Sequence, residues 1–215
     1  MEKSGFSKSF SLIELIFVIV LVGIISSYFI PKLYTSQLTQ AANKIILHLK
    51  NTRYQAMLDN KFNHKDEMWF RERWTMKFQR CQKSVGGLYY VVYSDTNHGG
   101  HINKTETLKD PLTQKWLYSN YDCDASYNES EDILISKQYG VSQVDITCNS
   151  TSTIGQISFG YDGVIYTKLG TKSSDTYKYA LNEKCKIILF DKNNENVTIL
   201  IEPNTGFISL QEDNQ

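Results

Sequence analysis

Two stretches of opposite pattern open the chain. From Phe10 to Ile30 the residues are almost all apolar, Glu14 is the only charge, and no polar stripe divides the run. Its 21 residues, at 1.5 Å per helical residue, reach about 30 Å, the thickness of a bilayer core. Beyond Pro31 the pattern becomes amphipathic. Leu38, Ala41, Ala42, Ile45, Ile46, Leu49, Ala56 and Met57 recur at three- and four-residue steps, while Gln40, Asn43, Lys44, Lys50 and Arg53 fall on the other face, so one apolar stripe runs along a helix to about Asn60. Proline removes a backbone hydrogen bond and clashes with the preceding turn. The pattern therefore predicts one long helix from Phe10 to about Asn60, kinked near Pro31.

Strand patterns follow. Thr75-Met76-Lys77-Phe78 and Leu88-Tyr89-Tyr90-Val91-Val92-Tyr93, joined across Gly86-Gly87, read as a hairpin of β-branched and aromatic residues. Later runs are Gln156–Phe159, Val164–Thr167, Lys186–Phe190, Val197–Ile201 and Gly206–Leu210, separated by Tyr161-Asp162-Gly163, Asp191-Lys192-Asn193-Asn194 and Pro203-Asn204-Thr205-Gly206, all turn-forming sequences. An antiparallel sheet is predicted. Asp95 to Gly155 mixes Asn, Asp, Ser and Gly with short apolar pieces such as Ile133-Leu134-Ile135, which predicts long loops and short strands. The stripe on the helix needs a cover, and a sheet is the economical one. The expected class is α+β, with a long N-terminal helix packed on an antiparallel sheet.

Charge adds direction. The totals balance, 23 basic against 23 acidic residues, so no general polyanion binder is implied. Lys3 and Lys8 precede the apolar run and only Lys32 follows it closely; the positive-inside rule keeps the N-terminus in the cytoplasm and sends the rest across the membrane. About 180 residues then form one exported globular domain. Cys81, Cys123, Cys148 and Cys185 all lie in that part, and in an oxidising compartment one or two disulfides are expected. Three pairings are open. Zinc thiolate sites need close pairs such as Cys-x-x-Cys, which are absent. The Asn-x-Ser/Thr triplets at Asn103, Asn128, Asn149 and Asn196 are read as chance.

Glu14 does not suit its surroundings, because an ionised carboxylate costs about 2.5 to 3.5 kcal/mol near a membrane-helix centre on insertion scales. If the chain is cut between Ser9 and Phe10, the new α-amino group supplies a positive charge that meets Glu14 of a neighbouring, axially shifted copy. The run Phe10-Ser11-Leu12-Ile13-Glu14-Leu15, with a basic leader before it and Gly23 and Pro31 behind it, resembles the N-terminus of type IV pilins and type II secretion pseudopilins. Gly23 and Pro31 fall at that family's helix-breaking places. Ser9 stands where the family usually has Gly, and Gly5-Phe6 lies four residues upstream. A cut after Gly5 would leave Lys8 inside the mature segment and Glu14 out of position.

The C-terminal part narrows the resemblance. Phe159-Gly160-Tyr161-Asp162-Gly163, the strand Val197–Ile201 and Thr205-Gly206-Phe207-Ile208 are similar to the pattern of H-type minor pseudopilins and FimT-like proteins, as is Arg53-Tyr54-Gln55-Ala56 in the helix, where Thr52 replaces an Ala. Asp110-Pro111-Leu112-Thr113 with Trp116-Leu117-Tyr118 resembles an Asp-Pro element of pseudopilins. The resemblance implies a pilin-like fold, a leader of residues 1–9, a transmembrane and assembly helix over 10–31, and a periplasmic globular domain over 32–215 that includes the amphipathic helix half, 32–60. It implies a non-enzymatic minor pseudopilin of a type II secretion pseudopilus, held in the bacterial inner membrane by a single pass. A prepilin peptidase cuts before Phe10 and N-methylates it, Phe10 and Glu14 set the assembly register, and the partners are other pseudopilins and the inner-membrane assembly platform.

Other chemistry is weighed against plainer readings. His48, His64, His98 and His101 lie in no nucleophile or zinc motif, so a membrane-anchored enzyme is disfavoured. His98-Gly99-Gly100-His101 with Asp95 carries metal-ligand types and could bind a metal in a loop, but solvated loop residues are the preferred reading. Asp122, Asp124, Glu129, Glu131 and Asp132 form an acidic run, read as a solvated face with calcium as the alternative; no cofactor is expected otherwise. Between Lys61 and Lys83, Arg71, Arg73 and Lys77 stand among other basic residues with Trp69, Phe70, Trp74 and Phe78 interleaved. Basic side chains can neutralise phosphates and exposed aromatics can stack on bases. The alternative function is therefore a minor type IV pilin of a DNA-uptake filament whose periplasmic domain binds DNA.

Overall fold

The computed structural model describes residues 11–29, 36–203 and 205–211, in two units, Met1–Ser36 and Gln37–Gln215. The first holds α1 (Leu12–Phe29), 18 residues. That length rises about 27 Å, short of a hydrocarbon core of about 30 Å, and among the described residues no helix is long and apolar enough to cross a membrane. Phe10, Ile30 and Pro31, which complete the expected 21-residue span, lie outside the described residues. So do the leader with Ser9 and the expected kink at Pro31. Gly23 sits inside α1, which runs through it without interruption. The expected single helix to Asn60 is described as two, α1 and α2 (Gln37–Leu58).

The second unit is α+β. Its strands are β1 (Trp74–Arg80), β2 (Leu88–Tyr93), β3 (Gln143–Ile146), β4 (Gly155–Phe159), β5 (Ile165–Tyr166), β6 (Cys185–Phe190), β7 (Asn196–Ile201) and β8 (Ile208–Leu210), with a short helix α3 (Ile135–Tyr139) before β3. The strands make two four-stranded sheets, ordered β2-β1-β4-β5 and β3-β6-β7-β8, and every pairing is antiparallel. One sheet was expected. Strand patterns reveal which residues can pair but not which partner they choose, and β3, which precedes β4 in the chain, joins the other sheet.

Helix α2 joins the two sheets. Leu38, Ala41, Ala42, Ile45, Ile46, Leu49 and Ala56 are buried, and the helix packs on β1 and β4 of the first sheet and on β6, β7 and β8 of the second. Met57, placed in the stripe by its spacing, is half exposed instead. His48 and Thr52 take buried places in the stripe that the pattern assigned to no core residue. At the far end of α2 the Arg53 Nη2 group donates to the Thr205 carbonyl at 2.9 Å. Gly206 has φ +61°, a left-handed conformation that favours glycine, and a Cβ there would also lie 2.7 Å from Arg53 Nε and push the guanidinium aside.

Burial explains the strand sequences. All six residues of β2 are buried although β2 is the last strand of its sheet; the loop after it covers that edge, with Leu108 N–H donating to Val92 O and Val92 N–H to Leu117 O. An apolar strand at an open edge invites unwanted pairing, and a covering loop removes the hazard. In β6 the period is two, with Cys185, Ile187 and Leu189 inward. Ile133-Leu134-Ile135 is no strand: a 3-10 turn at Glu131–Ile133 leads into α3, and all three side chains are buried.

Two disulfides form, Cys81–Cys123 and Cys148–Cys185, with Cα separations of 5.6 and 5.3 Å. The first holds the long loop to the end of β1, the second ties the segment after β3 to the start of β6. They close 42 and 37 residues of chain, worth about 4 kcal/mol each by the loop-entropy relation. Replacing Cys148 and Cys185 together by Ser should lower the unfolding free energy from urea titration by about 4 kcal/mol; an unchanged unfolding free energy would show that the loop is held without the crosslink.

Candidate functional site

The first unit offers the most unusual surface. Every large apolar side chain from Leu12 to Ile25 is exposed, from 42% at Leu21 to 77% at Leu12 and Ile13. A helix that is apolar all round needs lipid or other helices about it, and each such side chain contributes roughly 1.5 to 3 kcal/mol when covered. Ser11 starts the helix: its Oγ accepts from the Glu14 N–H at 3.3 Å, and its carbonyl accepts from the Glu14 and Leu15 N–H groups at 3.1 and 3.2 Å. Ser11-Leu12-Ile13-Glu14 thus has the spacing of a capping box. The bonds observed run from the Glu14 backbone N–H; its carboxylate stands in the first turn, a Ser-x-x-Glu spacing legible in the sequence but not expected there. A first-turn carboxylate gains about 0.3 to 1 kcal/mol from the helix dipole. That is less than the cost of about 2.5 to 3.5 kcal/mol for a charge deep in lipid, so capping by itself does not account for a charged residue in a membrane-length run.

In the second unit, the residues proposed for nucleic acid lie mostly inside. Trp69, Phe70, Trp74 and Phe78 are buried, and Arg73 is 3% exposed. The Arg73 guanidinium lies 3.6 Å from the Tyr166 ring centre and near Trp69 and Phe70, and it donates to the Thr176 carbonyl at 2.8 Å. Burial lowers its pKa, and the neighbouring tyrosines and Asp162 oppose that. Arg71 donates to Asp95 Oδ2 and to the His98 carbonyl. Lys77 is half-buried, with its pKa lowered by burial and supported by Asp95. The aromatics that base stacking would need are core, and the central arginine is caged by rings.

The acidic run does not converge. Asp122 accepts from Gln82, Asp124 faces Lys137, Glu129 binds Lys104, Glu131 accepts from Gln138, and Asp132 binds Lys44 at 2.5 Å and Tyr139 at 2.9 Å. Each carboxylate has its own partner; Asp122, Asp124 and Glu131 are exposed as a solvated face requires, whereas Asp132 is half-buried and Glu129 is buried. Nor do His98, His101 and Asp95 gather: His101 is exposed, Asp95 faces Arg71, and His98 turns towards Glu72 and Asp66.

Sequence reading missed a third set of side chains. His48 Nδ1 and the Tyr90 hydroxyl lie 2.6 Å apart, and His48 Nε2 faces Asp110 Oδ2 at 3.4 Å, longer than an ordinary hydrogen bond of about 2.9 Å. All three residues are fully buried. Tyr-His-Asp has the residue types of a catalytic relay, but with no solvent access it serves as an internal pin between α2, β2 and the Asp110-Pro111 turn. Burial alone would raise the Asp110 pKa; the His48 ring and the N–H groups of Leu112 and Thr113 outweigh it and hold the carboxyl well below the usual range. No protein-family model, curated protein or solved structure matches the chain.

The Asp110 contribution has a definite sign. Its folded pKa lies below the unfolded value of about 3.9, so the stabilisation is complete above that value and is lost as pH falls below it. The unfolding free energy should decline between about pH 5 and pH 2, and Asp110→Asn should flatten that decline while lowering stability at neutral pH. His48→Ala, which leaves Asp110 Oδ2 buried without a partner while the Leu112 and Thr113 N–H groups still bind Oδ1, should cost about 1 to 3 kcal/mol. Urea titration across the pH range measures both, and an unaltered pH profile in Asp110→Asn would contradict the assignment.

Proposed function

We propose that the chain is a minor pseudopilin of the H type, a structural subunit of a type II secretion pseudopilus. The observation that carries this is α1: a helix exposing apolar side chains on every side, with Glu14 as its single charge, directly behind Phe10-Ser11. The globular unit is compatible, since α2 presents an apolar stripe to antiparallel strands. On this reading a prepilin peptidase removes residues 1–9 and methylates Phe10. The subunit waits in the inner membrane with its stapled domain in the periplasm. Assembly moves α1 from lipid into a bundle of like helices held by the platform, and Glu14 meets the α-amino group of Phe10 on a neighbour.

The charge and the capping role of Glu14 can be separated. Glutamine at that position of a capping box still reaches back to the helix start but carries no charge. If Glu14 sets register through its charge, Glu14→Gln and Glu14→Ala should both insert in the membrane normally and both fail to enter filaments, as read by membrane fractionation and by crosslinking to neighbouring subunits. Normal incorporation of Glu14→Gln would remove the register role. Mass spectrometry of the mature chain should show N-methylated Phe10 at its start, and an N-terminus at any other residue would overturn the processing step.

A further inference from the structure

We propose that Asp66, Glu72 and His98 form a site for a divalent first-row transition metal, with zinc the expected occupant. The three come from separate segments: Asp66 from the turn after α2, Glu72 from the 3-10 turn at Trp69–Glu72, and His98 from the loop after β2. Their ligand atoms all lie within 4.8 Å of one another, and no other such group of His, Cys, Asp or Glu occurs among the described residues. His98 Nε2 is 3.3 Å from Glu72 Oε1 and 3.7 Å from Asp66 Oδ2. Tetrahedral zinc with bonds of about 2.0 to 2.2 Å spaces its ligands about 3.3 Å apart, so little movement would be needed.

The surroundings aim these atoms at one point. Asp66 Oδ1 already accepts the Met68 N–H at 2.8 Å, which leaves Oδ2 turned to the cluster. Ser94 Oγ donates to the Glu72 carbonyl at 2.6 Å and fixes the end of the 3-10 turn. The His98 backbone is held on both sides, its N–H by the Asp95 carbonyl and its carbonyl by Arg71. Its Nε2 atom is nevertheless buried and lacks a hydrogen-bond partner among the described residues. A buried polar atom without a partner is costly, and here it looks at two carboxylates. Arg71 pairs with Asp95.

The donor set selects the class of metal. Calcium takes six to eight oxygen ligands, whereas one imidazole and two carboxylate oxygens suit zinc and its neighbours. Side-chain exposures of 25% to 31% leave a face open to water, which would complete the coordination. Tying three loops together beside the β2 edge would stiffen a part of the domain that has no disulfide of its own.

The test uses the full chain in mild detergent, stripped with a chelator and dialysed against zinc alone. One zinc per chain at micromolar concentration is expected, with calcium failing to compete. Cobalt in place of zinc should give a visible absorption band, and the His98 ring resonances should shift on adding zinc to the unaltered protein. His98→Ala and Glu72→Gln, each shown by circular dichroism to be folded, should weaken binding about tenfold or more, while His101→Ala leaves it unchanged. Absence of zinc uptake by the folded chain would overturn the proposal. Uptake that survives His98→Ala but fails in His101→Ala would overturn it as well.

Discussion

The globular unit depends on the burial of one face of α2. Seven apolar residues of that helix are buried, from Leu38 to Ala56, and strands of both sheets rest on them. Neither four-stranded sheet has another common partner of that length among the described residues, so the helix is the hydrophobic surface that makes two sheets into one core. The polar pin in the middle of the stripe fixes α2 against the first sheet and its covering loop. Tyr90 from β2 and Asp110 from the covering loop both reach His48, and Thr52 bonds back to the His48 carbonyl at 2.6 Å. A buried polar group is tolerated only when its partners are in place, which makes this arrangement far less permissive than apolar contact alone.

The same core decides which charged residues are available to partners. Arg73 belongs to the interior, where four aromatic rings surround it, and Lys77 is half-buried beside β2 and β4. The acidic residues between Asp122 and Asp132 are spent on separate local tethers. What the globular unit offers outward is therefore a rigid, disulfide-held body. Among the described residues, the one group of His and carboxylate side chains spaced to hold a metal ion lies beside the 3-10 turn that carries Glu72.

The α1 segment obeys a different constraint. It has no polar face, so no position on it is satisfied by water, and helix propensity or capping cannot substitute for a covering medium. Glu14 is the exception: its backbone N–H bonds to Ser11 Oγ at the start of the helix, and its carboxylate is the one charge among the described residues of that segment.

Much of this was legible in the residues. The α+β class, the amphipathic helix, the β1–β2 hairpin and the later strands were readable because each is a local repeat of period 3.6 or 2, written in consecutive residues. So was the apolar run with its single carboxylate. Long-range choices were not legible. Which cysteines pair, that the strands divide into two sheets, that Gln143-Val144-Asp145-Ile146 is a strand and Ile133-Leu134-Ile135 is not, and that His48 points inward all depend on partners tens of residues away. By itself the sequence determined the elements and the character of their faces, since these follow from neighbours along the chain. Only the tertiary structure decided that Arg73 is caged, that Asp110 is held ionised against His48, and that Asp66, Glu72 and His98 meet, because burial and charge pairing are properties of space and no local pattern records them.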